Sequence, residues 1–211
     1  MSQGFLSIGH CRRYWLVSFA LLGRQYTMTS LFARTCALFV AWSLSALHPA
    51  HAALDIGEPA PRFTSQAALG GKIFSYSLSD ALARGPVVLY FFPAADSAEC
   101  SIEAHAFAEA VDKFAALGAS VIGMSADGID VLSKFSVKSC QSRFPVASDE
   151  SKEIISSFDA LMQTRPDFAN RLSYVIARDG KIAYYYHNLN PEKHVERMLA
   201  AVRALPKAPG R

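Results

Sequence analysis

Cysteine is scarce in this sequence of 211 residues, which contains four, and no two of them form a Cys-x-x-Cys pair. Thiol–disulfide exchange enzymes with a Cys-x-x-Cys site use a second cysteine three residues after the first. The residue three positions after Cys100 is Glu103. An enzyme of the thiol–disulfide exchange class is therefore not expected.

Most of the chain has no large net charge of either sign. The sequence has 21 Lys and Arg against 18 Asp and Glu, but four of the basic residues lie in the first 52 positions, which hold no acidic residue. The other 17 basic residues nearly balance the 18 acidic ones, so the basic character of the whole chain is no evidence for nucleic-acid binding. With 51% hydrophobic and 18% charged residues, the composition is typical of one well-packed domain.

Residues 1–52 are predicted to be a signal peptide region. Within residues 28–52, a basic flank at Arg34 precedes an apolar core at residues 36–47 and a small-x-small ending at Ala52. The core is shorter than the roughly 20 residues of a membrane-spanning helix, so we expect cleavage after Ala52 rather than a retained anchor. Residues 1–27 add a second basic and apolar segment, so either Met28 is the true start or the leader is unusually long.

Cleavage would leave Cys100 and Cys140 as the cysteines of a single domain at residues 53–211. Export, which we expect to be to the periplasm, places them in a compartment where thiols can stay oxidised. A structural disulfide and a redox-active pair are both open interpretations of these two cysteines.

Apolar runs alternate with segments of helical spacing along the domain. Strands are predicted at residues 72–78, 87–92, 120–125, 145–147, 171–177 and 181–186, and helices at 101–117, 127–136, 148–158 and 191–205. Residues 53–70 are expected to form an extended lead-in. This order indicates an α/β domain with helices on both faces of a sheet.

The helix at residues 101–117 is predicted to bury an apolar stripe and to keep its charged residues away from the core. The stripe includes Ile102, Phe107, Phe114 and Leu117. Glu103 is among the residues expected to lie largely outside it.

Cys100 lies where the predicted strand at residues 87–92 passes into this helix. The first turn of a helix presents unpaired backbone N–H groups and the positive end of the helix dipole, which favour a thiolate over a thiol. The thiolate is the nucleophile, so Cys100 is the expected reactive residue. Glu99 would oppose thiolate formation if its carboxylate pointed inward.

Pro93, Ser97 and Cys100 resemble the active-site motif of the peroxiredoxins, in which Pro is followed by Thr or Ser four residues on and by the peroxidatic cysteine three further. Their surroundings are similar to the peroxiredoxin Q or bacterioferritin comigratory group, over about residues 57–202. The resemblance implies a thioredoxin-like fold with a central mixed sheet. It also implies reduction of hydrogen peroxide or an organic hydroperoxide through a sulfenic acid at Cys100.

The resemblance further implies the roles of the surrounding residues. The hydroxyl of Ser97 would hydrogen-bond at the thiolate and the peroxide, Arg171 would supply a fixed positive charge, and Pro93 would shield the thiolate. Ser97 stands where Thr is commoner, which removes a methyl group and loosens the rotamer. Ser97 is also a suitable helix N-cap, which is compatible with this role.

Many members of the peroxiredoxin Q group resolve the sulfenic acid with a cysteine five residues on, but that position is His105. Cys140 is therefore the candidate resolving residue, and thioredoxin or a similar thiol donor would reduce the resulting disulfide. Cys140 is about 18 Å from the start of the helix at 127–136. A disulfide needs Cα atoms about 5.5 Å apart, so both segments would have to unwind.

Two alternatives remain open for Cys140. One is a one-cysteine peroxidase reduced by an external thiol, in which Cys140 takes no part. The other is a non-catalytic thioredoxin-like binding or holdase module with a static disulfide.

The histidines at positions 105, 187 and 194 lack the spacing of metal ligands, so they are expected on the surface and neither a metal nor another cofactor is expected. The expected partners are a peroxide substrate and a thioredoxin-like or other thiol reductant. Neither nucleic acid nor a membrane span that persists after cleavage is expected. The protein is expected to be a monomer or a weak dimer.

Overall fold

The computed structural model describes residues 53–95 and 97–206. The predicted signal peptide region and its cleavage site after Ala52 lie outside the described residues. In the described part of the chain, no helix is both long enough and apolar enough to cross a membrane.

The described residues form a seven-stranded sheet and five α-helices. The strands are β1 (Thr64–Leu69), β2 (Lys72–Ser77), β3 (Val87–Phe91), β4 (Ser120–Ser125), β5 (Val146–Ser148), β6 (Leu172–Ile176) and β7 (Ile182–His187). The helices are α1 (Leu78–Arg84), α2 (Ala98–Ala116), α3 (Ile129–Lys138), α4 (Glu153–Ser157) and α5 (His194–Ala204). A short 3-10 turn at Pro191–Lys193 leads into α5.

The sheet is mixed, with the strand order β2-β1-β5-β4-β3-β6-β7. The strands β3, β4 and β5 are parallel neighbours, whereas β6 runs antiparallel to β3. All five residues of β3 are buried, as expected for a strand that is covered on both faces. The active-site cysteine predicted from the sequence therefore follows an interior strand.

Helices cover both faces of the sheet. On one face, α2, α3 and α5 bury apolar residues that include Phe107, Leu132 and Met198. On the other face, α1 and α4 contribute buried residues such as Leu78 and Ile155. The predicted α/β sheet with helices on both faces is thus confirmed.

The first part of the domain differs from the prediction. Residues 64–69 form β1 rather than an extended lead-in, and a turn at Gly70 and Gly71 joins β1 to β2. Both glycines have positive φ angles, of 56° and 80°, which glycine adopts without a steric cost. Pairing with β5, which lies far away in the sequence, holds the other edge of β1. A local sequence pattern does not show such a pairing.

Two helices also differ from the prediction. Helix α1 is an additional element, and its N-cap Ser77 accepts a hydrogen bond from the backbone N–H of Asp80 at 3.3 Å. Helix α4 has five residues and is shorter than the predicted segment at 148–158. Lys152, with a left-handed φ of 63°, precedes the first residue of α4 and sets its start.

The buried face of α2 agrees with the predicted apolar stripe only in part. Phe107 and Phe114 are buried as expected, but Ile102 is 57% exposed and Leu117 is 39% exposed. Glu103 is fully buried instead. A buried carboxylate is tolerated where a tertiary partner compensates it, and a helical pattern alone does not reveal that partner.

Gly123 in β4 makes room for the ring of Tyr90 in β3. The two residues are direct neighbours in the sheet, and a Cβ atom at position 123 would lie 2.8 Å from Cζ of Tyr90. Tyr90 is fully buried and stacks on Phe107 with 4.4 Å between ring centroids. The ring therefore has little freedom to move away from an added methyl group.

We expect Gly123→Ala to lower the free energy of unfolding by about 1–3 kcal/mol, because the substitution overpacks the core. Urea denaturation would measure the change. In a Tyr90→Leu background the same substitution should cost less, since the obstructing ring is gone. Equal costs in the two backgrounds would show that Tyr90 is not the obstacle.

Candidate active site

The antiparallel pairing of β3 and β6 brings Arg171 to Cys100. Phe91 at the end of β3 pairs with Leu172 at the start of β6, so the segments beyond these two residues lie at one edge of the sheet. Nη2 of Arg171 lies 3.5 Å from Sγ of Cys100, although the two residues are 71 positions apart.

Cys100 lies in the first turn of α2 and is 1% exposed. Ser97 is the N-cap of α2, and its Oγ accepts a hydrogen bond from the backbone N–H of Cys100 at 3.1 Å. The helix N-terminus and the nearby guanidinium both favour a negative charge on the sulfur. Pro93 is half-buried in the connection between β3 and α2. Contacts of Ser97 and Pro93 with a bound peroxide stay predictions.

Glu99 does not point toward the thiol side of α2, because its side chain is exposed. A solvated carboxylate is screened by water and salt. The charge of Glu99 is therefore expected to oppose the Cys100 thiolate only weakly.

Arg171 is 4% exposed, and all three nitrogen atoms of its side chain make hydrogen bonds. In addition to Nη2 at Cys100, Nη1 donates to Oε2 of Glu103, and Nε donates to the carbonyl oxygen of Leu189 at 2.8 Å. Burial works against the charged form of Arg171, but the negative charges of Glu103 and Cys100 raise its pKa above the ordinary value. The guanidinium is a buried, permanent cation that contacts two acidic side chains.

Glu103 lies one helical turn after Cys100, so both side chains are on the same face of α2. Its Oε2 accepts the hydrogen bond from Arg171, whereas Oε1 has no hydrogen-bond partner among the described residues. Burial raises the pKa of Glu103 to about 7, although the charge of Arg171 opposes this shift. Glu103 was not predicted from the sequence to belong to the site; its spacing of three from Cys100 is the signal that could have indicated it.

His194, the first residue of α5, lies behind Glu103. Its Nδ1 is 3.4 Å from Oε1 of Glu103 and 2.8 Å from Oγ of Ser173, and its Nε2 is 2.8 Å from the carbonyl oxygen of Asn188. Because a carbonyl oxygen only accepts, Nε2 carries a hydrogen and donates it. Burial lowers the pKa of His194 to about 4, so the imidazole is neutral at pH 7.

The surface position predicted for the three histidines is wrong for His194, which is fully buried, whereas His105 and His187 are exposed. The hydrogen bonds to Ser173 and Asn188 satisfy both ring nitrogens of His194, which makes its burial possible. Within residues 53–95 and 97–206, no group of three or more His, Cys, Asp or Glu residues is placed to hold a metal ion.

Tyr90 connects this cluster with the second cysteine. Its hydroxyl is buried and has no hydrogen-bond partner in the described part of the chain. Burial raises the pKa of Tyr90 well above its ordinary value, and the nearby acidic side chains of Cys140, Glu103 and Cys100 raise it further. The phenol is therefore neutral and lies within electrostatic range of both thiols.

Cys140 lies in the turn after α3 and is fully buried. The hydroxyl of its neighbour Ser139 is 3.3 Å from the hydroxyl of Ser101, so this turn contacts the start of α2. The end of α3, rather than its start, is therefore the part that approaches the segment of Cys100. Both described cysteines are free, and they belong to the same apolar cluster. Burial raises the pKa of Cys140 and keeps it protonated.

The opposite pKa shifts of Glu103 and His194 predict how stability depends on pH. The pKa of Glu103 rises from 4.5 to about 7 on folding, so the folded state binds more protons than the unfolded state in that interval. The contribution of Glu103 to stability is therefore lost as the pH rises through the interval. The pKa of His194 falls from 6.5 to about 4, so its contribution grows as the pH rises through that interval. The two contributions oppose each other in the wild-type protein.

We expect Glu103→Gln to make the free energy of unfolding rise more steeply with pH between about 5 and 6.5 than it does in the wild type. Urea denaturation of the wild type and of Glu103→Gln at a series of pH values would measure both slopes. A common slope for the two proteins would contradict the protonation state assigned to Glu103.

The chain is similar to known proteins over more than half of its length. Residues 56–185 match the model of the AhpC/TSA family. The chain is 33% identical over 150 residues to the chloroplastic peroxiredoxin Q of Oryza sativa subsp. japonica, which covers 71% of this chain and 67% of the relative. The range 56–185 contains Pro93, Ser97, Cys100, Cys140 and Arg171.

The fold is also similar to that of solved peroxiredoxin structures. Peroxidoxin BcpB from Mycobacterium tuberculosis is similar with a TM-score of 0.65 and 26% identity, covering 73% of this chain and 99% of the other. The reduced 2-Cys peroxiredoxin of Plasmodium vivax has a TM-score of 0.64 and 21% identity, covering 71% and 94% of the two chains, and shows the fold alone. The predicted thioredoxin-like fold is confirmed. The chain belongs to the AhpC/TSA family and is a peroxiredoxin of the peroxiredoxin Q type, a family of thiol-dependent peroxidases.

Proposed function

We propose that this peroxiredoxin reduces hydrogen peroxide or an organic hydroperoxide with Cys100 as the peroxidatic cysteine and Cys140 as the resolving cysteine. A thioredoxin-like thiol donor would return the enzyme to its reduced form. The observation that carries this proposal is the buried guanidinium of Arg171, 3.5 Å from the sulfur of a cysteine at a helix N-terminus.

In the first step, the Cys100 thiolate attacks one oxygen of the peroxide and the O–O bond breaks. The sulfur takes the hydroxyl group as a sulfenic acid, and the other oxygen leaves as an alkoxide or hydroxide that takes up a proton. Negative charge thus moves from the sulfur to the departing oxygen. Arg171 lies beside the sulfur, where it can stabilise the charge throughout this transfer.

Ser97 and Pro93 are proposed to orient the peroxide. Ser97 Oγ is already held beside Cys100 by the backbone N–H that it caps. A hydroxyl that accepts from this N–H still has its own hydrogen free to donate. Pro93, in the loop before α2, would exclude water from the sulfur.

The position of Cys140 supports a role in the second step. The contact between Ser139 and Ser101 holds the turn after α3 against the first turn of α2, so the two cysteine-bearing segments are neighbours. In resolution, the Cys140 thiolate attacks Sγ of the Cys100 sulfenic acid, the S–O bond breaks, and the hydroxyl leaves as water after taking up a proton.

Resolution requires local unwinding, because Cys140 is fully buried and its burial keeps it protonated. Unwinding would break the hydrogen bond from the Cys140 N–H to Phe135 and the one from the Arg143 N–H to Cys140. The two residues after Cys140, Gln141 and Ser142, have left-handed φ angles of 52° and 56°. Such conformations cost about 1–2 kcal/mol for each non-glycine residue, and unwinding would release this strain.

The alternatives have less support. Burial of Cys140 is compatible with a one-cysteine enzyme, but such an enzyme does not account for the contact of its turn with the start of α2. A static disulfide is not favoured, because both described cysteines are free. An exchange enzyme lacks its second cysteine at position 103.

Peroxide consumption by cysteine variants would test the catalytic roles. We expect Cys100→Ser to abolish consumption, because no other thiol contacts Arg171 in the described part of the chain. Cys140→Ser should complete one turnover, then lose turnover with thioredoxin while keeping turnover with small thiols. A Cys100→Ser protein that retains activity, or a Cys140→Ser protein that retains full activity with thioredoxin, would refute the corresponding role.

Mass spectrometry of peroxide-treated protein would test the pairing directly. A peptide that contains Cys100 linked to Cys140 is the expected product in the wild type. Accumulation of a sulfinic acid at Cys100 with Cys140 still free would instead support the one-cysteine mechanism.

We also propose that the protein is exported to the periplasm after cleavage of its leader. Support comes from the sequence alone, in the basic flank, short apolar core and small-x-small ending of residues 28–52. In a Gram-negative expression host, the mature protein should appear in the periplasmic fraction with Ala53 as its first residue. An uncleaved protein in the cytoplasmic fraction would be the contrary result.

A further inference from the structure

We propose that Glu103 and His194 together store the proton that Cys100 loses when it becomes a thiolate. Arg171 is the cation that either Cys100 or Glu103 can neutralise. His194 acts as a positioning residue, because it contacts neither the sulfur nor the peroxide and works through Glu103. This inference rests on the proposed role of Cys100 as the peroxidatic cysteine.

The number of charges in the site supports this proposal. Arg171 is one permanent cation, and it contacts both Cys100 and Glu103, which are 1% and 0% exposed. If both acidic groups were ionised, one buried negative charge would lack a partner, at a high cost in free energy. One proton is therefore shared between the two groups in the reduced enzyme.

The hydrogen bonds of His194 decide where that proton resides. Since Nε2 donates to Asn188, Nδ1 carries no hydrogen; it accepts from the hydroxyl of Ser173 at 2.8 Å and lies 3.4 Å from Oε1 of Glu103. An ionised Oε1 would therefore face an electron-rich ring nitrogen, and Oε1 has no hydrogen-bond donor among the described residues. A proton on Oε1 removes this unfavourable contact and leaves Arg171 as the partner of the Cys100 thiolate.

Other groups that face the cluster do not change this balance. Tyr90 of β3 is neutral, because burial raises its pKa well above the ordinary value. Ser173 of β6 has no charge and offers a hydroxyl to Nδ1 of His194. His187 of β7 is exposed, and it affects His194 only by lowering the pKa of His194 further.

The same arrangement balances charge when the peroxide reacts. The thiolate and the peroxide become a sulfenic acid and an alkoxide, so the sulfur no longer neutralises Arg171. Glu103 then ionises and becomes the partner of Arg171, and one proton converts the alkoxide to an alcohol. The proton that Glu103 releases equals the proton that the leaving group requires. The net charge of the buried site is unchanged, and no net proton is drawn from the solvent.

Titration of the thiolate would test this proposal without any peroxide. The ultraviolet absorbance of the Cys100 thiolate is obtained as the difference between each protein and its Cys100→Ser counterpart, measured against pH. Glu103→Gln, which keeps an oxygen to accept from Arg171, should lower the midpoint by about one pH unit, because Arg171 then neutralises only the thiolate. His194→Phe should raise the midpoint by a similar amount, because Glu103 loses the acceptor for its proton and ionises instead.

Opposite shifts distinguish a proton store from a structural role, which would move both variants in the same direction. An unchanged or raised midpoint for Glu103→Gln would overturn the proposal, and so would an unchanged or lowered midpoint for His194→Phe. Should His194→Phe not fold, Ser173→Ala provides the deciding measurement. That change removes the hydroxyl that competes for Nδ1, so a lower midpoint supports the proposal, and an unchanged or higher one overturns it.

Infrared difference spectroscopy of the reduced and peroxide-treated protein provides a second readout. We expect the carbonyl band of a protonated carboxyl group in the reduced wild type, its loss on oxidation, and no such change in Glu103→Gln. If peroxide is consumed normally but this band is absent, the proton store is refuted and the proposed function stands. If peroxide is not consumed, the proposed function fails, and the titration still decides the role of Glu103.

Discussion

The site depends on one buried cation held between two acidic side chains. The guanidinium of Arg171 contacts the sulfur of Cys100 and the carboxyl group of Glu103, and its third bond, to the carbonyl oxygen of Leu189, fixes its orientation. A buried arginine needs compensating acceptors, and a buried thiolate or carboxylate needs a cation, so each group makes the burial of the others possible. Removing Arg171 would leave a buried thiolate or carboxylate without a cation in the core.

This constraint also explains why the cluster extends to α5. Only one acidic group at a time can be the ionic partner of Arg171. The protonation state of Glu103 therefore matters as much for the charge on Cys100 as the position of Glu103 does. His194 determines that state, because its bond to Asn188 leaves an unprotonated nitrogen facing Glu103. Cys100, the proposed peroxidatic cysteine, is thus coupled electrostatically to a histidine that it does not touch. Such coupling makes the reactivity of the thiol a property of the whole cluster.

The second cysteine presents the opposite situation, since Cys140 is buried among apolar residues and its burial raises its pKa, with no compensating cation among the described residues. In the proposed mechanism it becomes a nucleophile only after the turn after α3 opens. The contact between Ser101 and Ser139 makes this movement a local one, because the two segments are already neighbours. Reactivity is therefore divided between a residue that the fold activates and a residue that local unfolding would expose.

Local sequence signals predicted much of this protein. Apolar patterning and capping residues over short windows predicted the strand β3 and the hairpin of β6 and β7. They also predicted the position of Cys100 at a helix start and its N-cap Ser97. They did not predict the pairing of β1 with β5 or the burial of Glu103 and His194, because the partners of these residues are distant in the sequence. By itself, the sequence determined the fold class and the family resemblance and indicated Cys100 as the candidate nucleophile, since these depend on residue order. Only the tertiary structure decided the protonation partners of the site, because desolvation and charge compensation depend on which side chains meet in space.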